Sequence, residues 1–296
     1  MVSLGFSPDG RWLAGGCGRG IALWDLQTGD ELAFAEHTNI RNISFVGSDS
    51  MSIEASGPKG MHHWQIRPAI DEGGQNSYFL ERSEELMNAN IKKHVYSPDG
   101  SLMGVISGGH VAVIDGATYE QKELLRGQVG ISNLEFSPDN KWLASGCWKG
   151  RGVRVWELDN PDNWVDLLEN DDVTRCAFTQ NGKWLVTGNR RSYQVRSVGD
   201  WKVVRELPAG GKNLFAPDPM GRYLALNMND DRIELRDSET FEPIAAFRPP
   251  SSGAFSRIAF SPDGSHFALG TSTRNFYVWN IPEMRRELQE MGLDWE

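Results

Sequence analysis

Along this chain of 296 residues, short runs of apolar positions come in pairs, and a polar turn phrase divides each pair. "VSLGF" precedes Ser7-Pro8-Asp9-Gly10 and "RWLAGG" follows it; the same arrangement returns around "YSPDG" at 96–100, "FSPDN" at 136–140 and "FSPDG" at 260–264. Ser bonds locally at the first turn position, Pro presets φ at the second and Gly ends the turn, so the phrase predicts a type I turn between two strands. Looser copies begin at Ile43 ("ISFVGSDSMSIEAS"), Cys176 ("CAFTQNGKWLVTG") and Asn213 ("NLFAPDPMGRYLALN"), which makes seven hairpins.

A third strand follows each hairpin: "IALWD" at 21, "MHHWQ" at 61, "VAVID" at 111, "VRVWE" at 153, "YQVRS" at 193, "IELRD" at 233 and "FYVWN" at 276. A fourth, looser strand follows most of these, as in "ELAFAE", "KELLRG" and "VVRELP". Measured at the last aromatic before each turn (Phe6, Phe45, Tyr96, Phe136, Phe178, Phe215 and Phe260), the copies are 39, 51, 40, 42, 37 and 45 residues apart. That period predicts an all-β, seven-bladed β-propeller of four-stranded antiparallel blades. The long step holds one insertion, "PAIDEGGQNSYFLERSEELMNAN", after the third strand of blade two.

The propeller is expected over 1–281 and a helical tail, packed on the last blade, over 282–296. Asn280 caps that helix, Pro282 suits its first turn, Glu283 completes a capping box and Gly292 stops it. Met284, Leu288 and Met291 share one face, and Leu293 is placed to fold back onto Leu288 as in a Schellman ending. Met1 coincides with the first strand of blade one, so either blade seven has three strands or Met1 is the edge of a longer parent.

Through its "SPDG" turns, the Trp24-Asp25 pair and the matching Trp64, Trp156 and Trp279, the chain resembles the WD-repeat family. The resemblance implies a propeller that serves as a platform for protein partners. It is worn in detail, since Ile114, Arg196 and Arg236 replace the Trp in three blades and only His37 stands where the family places its Gly-His pair. The family's hydrogen-bonded set of His, Asp, Ser or Thr, and Trp is complete in no blade, which puts more of the blade's rigidity on packing. The ending "RRELQEMGLDW" is similar to the tails of WD-repeat regions in planctomycete-type bacterial proteins that carry a serine/threonine kinase domain. No HRD or DFG signature occurs in this chain, so kinase activity is not assigned to it.

Thirty Lys and Arg against forty Asp and Glu give a net charge of -10, which argues against broad binding to nucleic acid or anionic membrane. Cys17, Cys147 and Cys176 form no CxxC pair, and a reducing cytoplasm is the expected setting. No leader-like segment or spanning apolar run is present.

Candidate chemistry is sparse. "GGCGRG" at 15–20 lies between two antiparallel strands with no helix to meet a phosphate, and reads as an interstrand turn. The six His residues show no metal-ligand spacing, and no catalytic residue, metal or cofactor is assigned. The turns between second and third strands share a face with the blade-to-blade connections, and they carry Arg19, Lys59, Lys149, Arg151, Arg190, Arg191 and Arg274 against only Asp230 and Asp231. Glu36, Glu169, Asp171 and Asp172 dilute this charge from the connections, to which Lys212 adds one cation. With Trp148, these seven cations are the candidate partner-binding residues, and the stretch Trp148, Lys149, Arg151, Arg190 and Arg191 suits an acidic or phosphorylated protein or peptide. The expected function is a non-catalytic interaction scaffold; the alternatives are the sensor or scaffold region of a larger signalling protein and an enzyme with an axial site. Oligomeric state is left open.

Overall fold

The computed structural model describes residues 3–47, 51–70, 76–125, 128–150, 152–168, 171, 173–210, 212–249, 255–271 and 276–295. Seven antiparallel sheets account for nearly all of them, and within each sheet every strand pairs with its neighbour in sequence. The first strands are Ser3–Phe6, Asn42–Val46, Ile91–Tyr96, Ile131–Phe136, Arg175–Phe178, Phe215–Pro217 and Phe255–Phe260. They touch one another in that cyclic order and close the ring. The result is the seven-bladed propeller that the repeat period predicts. Six blades have four strands. Blade seven has three among the described residues: Phe255–Phe260, His266–Thr271 and Phe276–Asn280.

Burial explains the sequence pattern of each strand. The second strand is covered on both faces by the adjacent blades, so Trp12–Gly16 is buried throughout and reads as a small, continuous apolar run. The outermost strand is half in water; in Val203–Pro208 only Leu207 is buried. Cores form between blades rather than within them: Ile21 and Leu23 of blade one pack with Ile53, Trp64 and Ile66 of blade two. The smallest cluster, Phe6 and Leu13 with Ala268, joins blade one to blade seven.

The turn phrase forms the same small network each time. Gly10 N donates to Ser7 O at 2.9 Å, while Ser7 Oγ donates to Asp9 Oδ1 at 2.5 Å and accepts from Trp12 N at 2.9 Å. Ser97 with Asp99 and Leu102, Ser137 with Asp139 and Trp142, and Ser261 with Asp263 and His266 repeat it. Thr179 with Asn181 and Trp184 keeps the geometry with substituted residues. The buried hydroxyl is thereby satisfied and the first amide of the second strand gains a partner.

Blade six departs from the expected alignment. Asp218 N donates to Tyr223 O at 2.9 Å, as Thr179 N does to Trp184 O, so Asp218 holds the Ser position of the turn. Pro217 pairs with Leu224 as Phe178 pairs with Leu185. Pro217, not Phe215, is therefore the equivalent of the turn-preceding aromatic, and the two adjoining steps become 39 and 43 residues. Phe215 goes instead into the seam with blade five, its ring 5.5 Å from that of Tyr193.

The expected insertion is an extension of blade two itself. Gly60–Ile70 pairs with Asn76–Met87 from Met61 opposite Met87 to Ile70 opposite Asn76. Its far end leans on blade one, where Tyr78 meets Trp12 edge to face at 5.2 Å. Among the described residues, the buried indole N–H groups of Trp12, Trp64 and Trp184 meet no hydrogen-bond partner, so these rings contribute by packing.

The helix Ile281–Glu290 starts where Asn280 Oδ1 accepts from Glu283 N at 3.0 Å. Ile281, Met284 and Trp295 pack against blades six and seven, near Tyr223 and Phe267. It ends as a Schellman motif: Gly292 lies at φ 71, its N–H donates to Gln289 O, and Leu293 N donates to Leu288 O at 2.8 Å. The Leu293 side chain does not fold back, remaining 67% exposed. Ile281 N donates to Ser265 O, which places the helix on the face of the Ser-Pro-Asp-Gly turns, here the lower face.

Candidate functional site

The upper face is built by backbone bonds between blade-to-blade connections and the turns of the blades that they join. His37 N donates to Arg19 O and Ile40 N to Cys17 O; Trp148 N donates to Gly130 O, and Ala209 N to Arg191 O. These backbone bonds hold the cation-bearing turns at fixed places around the mouth of the axis. Arg19, Lys59, Lys149, Arg190 and Arg191 are all exposed there, as predicted from the strand order. Arg151 and Arg274 lie outside the described residues.

Blades four and five supply the densest group. Gly152 N donates to Asp171 O at 2.9 Å, and Asn189 Nδ2 donates to Asp171 Oδ2 at 2.8 Å, so one connection residue ties the blade-four turn to the blade-five turn. Asn189 Oδ1 also accepts from Arg191 N and Ser192 N, which fixes the backbone that carries Arg190 and Arg191. Lys149 stands at φ 61, turned outward. Trp148 is 54% exposed and Val129, on the adjoining connection, 77%. Among the described residues, Lys149, Arg190 and Arg191 form no ion pair, although the Asp171 carboxylate lies between their turns.

Arg19 and Lys59 belong to a separate hollow of about 700 Å³ between blades one and two, which also takes in Glu36, His62, Arg82 and Glu85. The His37 ring sits 5.4 Å from that of His62 and 5.8 Å from that of Trp64. Burial is the main force lowering the His37 pKa, with the charges of Arg82 and Lys59 adding to it. Arg82 falls in the expected insertion, where no repeat position marks it; only the strand pairing of Trp64 with Arg82 brings it here. Lys212 is taken by Asp230 at 3.7 Å, so the blade-six part of the face is neutralised.

The axis is an open channel of about 1040 Å³, lined by the first strands of all seven blades from Gly18 and Trp148 above to Gln180 and Pro219 below. Its walls carry Lys92, Lys93, Arg175 and Arg257, none of which the turn-based reading of charge could reach. Among the described residues, no group of three His, Cys, Asp or Glu side chains is placed to hold a metal ion. No helix among them is long and apolar enough to cross a membrane.

Three relatives show the range of similar proteins. Pre-mRNA-processing factor 19 of Oryza sativa subsp. japonica is 22% identical over 300 residues, covering 95% of this chain and 55% of that protein. The periodic tryptophan protein 2 homolog of Dictyostelium discoideum is 22% identical over 297 residues, 96% of this chain and 28% of its own length. A dihydro-heme d1 dehydrogenase of Pseudomonas aeruginosa is 24% identical over 156 residues, which is 49% of this chain and 32% of that enzyme. The chain thus spans about half, or less, of the length of these relatives. The repeat geometry, the turn networks and the sequence agree on one likeness: residues 2–25, 120–157 and 167–195 match the family model of the WD domain, G-beta repeat.

Proposed function

We propose that this propeller is a non-catalytic scaffold that docks a protein or peptide on its upper face, with acidic or phosphorylated residues of the partner over blades four and five. The observation that carries the reading is Trp148, a tryptophan 54% exposed beside three cations without ion pairs among the described residues. An accessible aromatic flanked by Lys and Arg on rigid turns has the composition of a binding anchor, because a partner can desolvate the ring while its carboxylates or phosphates complete the cations. The WD-repeat likeness supports the same function class. The test is fluorescence anisotropy with a short Glu-rich peptide and its phosphoserine counterpart. Replacing Lys149, Arg190 and Arg191 with Ser weakens both by about tenfold or more at low salt; equal affinity for the wild type and the triple variant removes the patch from consideration.

The tail "RRELQEMGLDW" supports a second placement of the same scaffold, as the sensor or scaffold region of a larger signalling chain such as a serine/threonine kinase. Genomic sequence upstream of the Met1 codon tests it: a continuous reading frame encoding a kinase domain supports the placement, and a stop codon removes it. Three free cysteines, Cys147 and Cys176 buried and Cys17 partly so, support a cytoplasmic setting.

A further inference from the structure

Six of the first strands present one residue at a single level of the ring. Ser3, Asn42, Lys93, Asn133, Arg175 and Arg257 each stand three places before the last aromatic of the strand, in matching register with the second strand. Three of the six are cations, the others are neutral and polar, and none is a carboxylate. Lys93 is satisfied by Glu135 Oε1 at 3.3 Å and Leu134 O at 3.1 Å. Lys92, one residue nearer the upper mouth, donates to Ile131 O at 2.6 Å. Among the described residues, the Arg257 side chain has one hydrogen bond, to the carbonyl of its neighbour Ser256 at 3.0 Å, and the Arg175 side chain has no hydrogen bond or ion pair.

Two guanidinium groups thus face the channel without an anion among the described residues. Glu135 already serves Lys93, and the other acid on the wall, Asp218, has a fully buried side chain held by Arg222 at 3.0 Å. Burial and then the charge of Arg257 bring the Arg175 pKa down to about 10, which locates the two groups in one another's field. Enclosed charge without a partner is costly, and planar guanidinium forks match the oxygens of phosphate two at a time. A chain of net charge -10 has concentrated four cations in one channel of about 1040 Å³, room for a small molecule but not for a folded segment.

We propose that the axial channel is a binding site for a small, multiply charged phosphate-type oxyanion, clasped between Arg175 and Arg257 with Lys92 towards the upper mouth. Arg175 and Arg257 lie on the first strands, apart from the Lys149, Arg190 and Arg191 turns of the docking surface, although Trp148 of that surface stands at the upper mouth of the channel. The phosphate can come from a small molecule or from a phosphorylated side chain reaching down the axis, and the two sources bind through the same forks.

The test is isothermal titration calorimetry and thermal unfolding of the whole chain with pyrophosphate, at ionic strength held constant with potassium chloride. Saturable one-to-one binding and a raised Tm are expected. Arg175→Gln with Arg257→Gln abolishes both effects without lowering the basal Tm, while Ser at Lys149, Arg190 and Arg191 leaves both intact. Should the double variant fail to fold, Arg175→Lys decides, because it keeps the charge, loses the fork and weakens pyrophosphate about tenfold. Phosphoserine-peptide binding that survives Ser at Lys149, Arg190 and Arg191 and is lost with Arg175→Gln and Arg257→Gln assigns the phosphate to a partner's side chain; peptide binding that depends on the upper-face cations alone, beside pyrophosphate binding that depends on Arg175 and Arg257, assigns it to a small molecule. No heat at millimolar pyrophosphate, or equal binding by wild type and the Arg175 and Arg257 variants, overturns the proposal.

Discussion

Tyr119 Oη donates to Glu54 Oε1 at 2.6 Å across the seam between blades three and two, where Glu54 is only 1% exposed. Tyr96 Oη donates to the other oxygen, Oε2, at 2.7 Å. Two phenols thus hold a buried carboxylate that pairs with no Lys or Arg among the described residues. Tyr119→Phe removes one of those donors and leaves the carboxylate short of a partner, at an expected cost of about 1–3 kcal/mol. Urea unfolding followed by tryptophan fluorescence measures it, and a midpoint unchanged from wild type contradicts the account.

The same carboxylate sets a pH dependence. Burial, partly offset by the two phenols, raises the Glu54 pKa above its ordinary 4.5. Between 4.5 and the raised value the folded chain binds the proton more tightly than the unfolded chain, so this contribution to stability falls as pH rises through that window. Glu54→Gln removes the fall. Its stability relative to wild type is therefore expected to improve from pH 4 to pH 7, and a pH-independent difference refutes this.

His94 acts in the opposite sense. It is fully buried, its Nδ1 lies 2.8 Å from Ser56 Oγ, and burial depresses its pKa from 6.5 to about 3. Below pH 6.5 the unfolded chain takes up a proton that the folded chain refuses. Stability is lost as pH falls from 6.5 towards 3, with a slope of up to about 1.4 kcal/mol per pH unit. His94→Gln flattens that limb of a denaturation series; an unchanged slope assigns the acid sensitivity elsewhere.

Ser137→Ala is expected to cost about 1–2 kcal/mol, since it deletes the hydroxyl that accepts from Trp142 N and donates to Asp139. Ser7→Ala deletes the same network three blades away, and the two losses add in the double variant because no partner is shared. Marked non-additivity in thermal unfolding means that the turns are coupled through the ring.

Trp148→Ala separates binding from stability. With more than half of its surface in water, the indole contributes little to folding, so the variant is expected to keep the wild-type Tm while losing the acidic peptide. A lowered Tm with retained peptide binding reverses the assignment of Trp148 as an anchor.

How far the sequence carries is set by whether a feature is local. Ser7, Asp9 and Gly10 bond within one turn, so the phrase announces itself wherever it recurs and the blade count follows. In blade six the aromatic marker fails, because Phe215 packs into a seam and Pro217 takes its place against Leu224. The outer strand Asn160–Leu167 opens with a polar run and is half in water, so its alternation is weak and no apolar pattern marks it. Arg175 and Arg257 face one channel only because the ring brings blades five and seven to a common axis; nothing near either residue in the chain foretells the meeting. The cations of the turns were legible since strand order alone decides which face a turn occupies.

Phe6, Leu13 and Ala268 make the clasp of a bracelet. Every other joint in the ring is bridged by the continuous backbone of a connection, whereas the described residues join blades one and seven by side chains such as Trp24 against Phe276 at 5.0 Å. Among the described residues blade seven has no fourth lane, and no neighbouring strand of theirs engages the outer side of Phe276–Asn280. Heat or tension therefore parts the bracelet at its clasp, and the amides of blade seven are the first to exchange with solvent hydrogen.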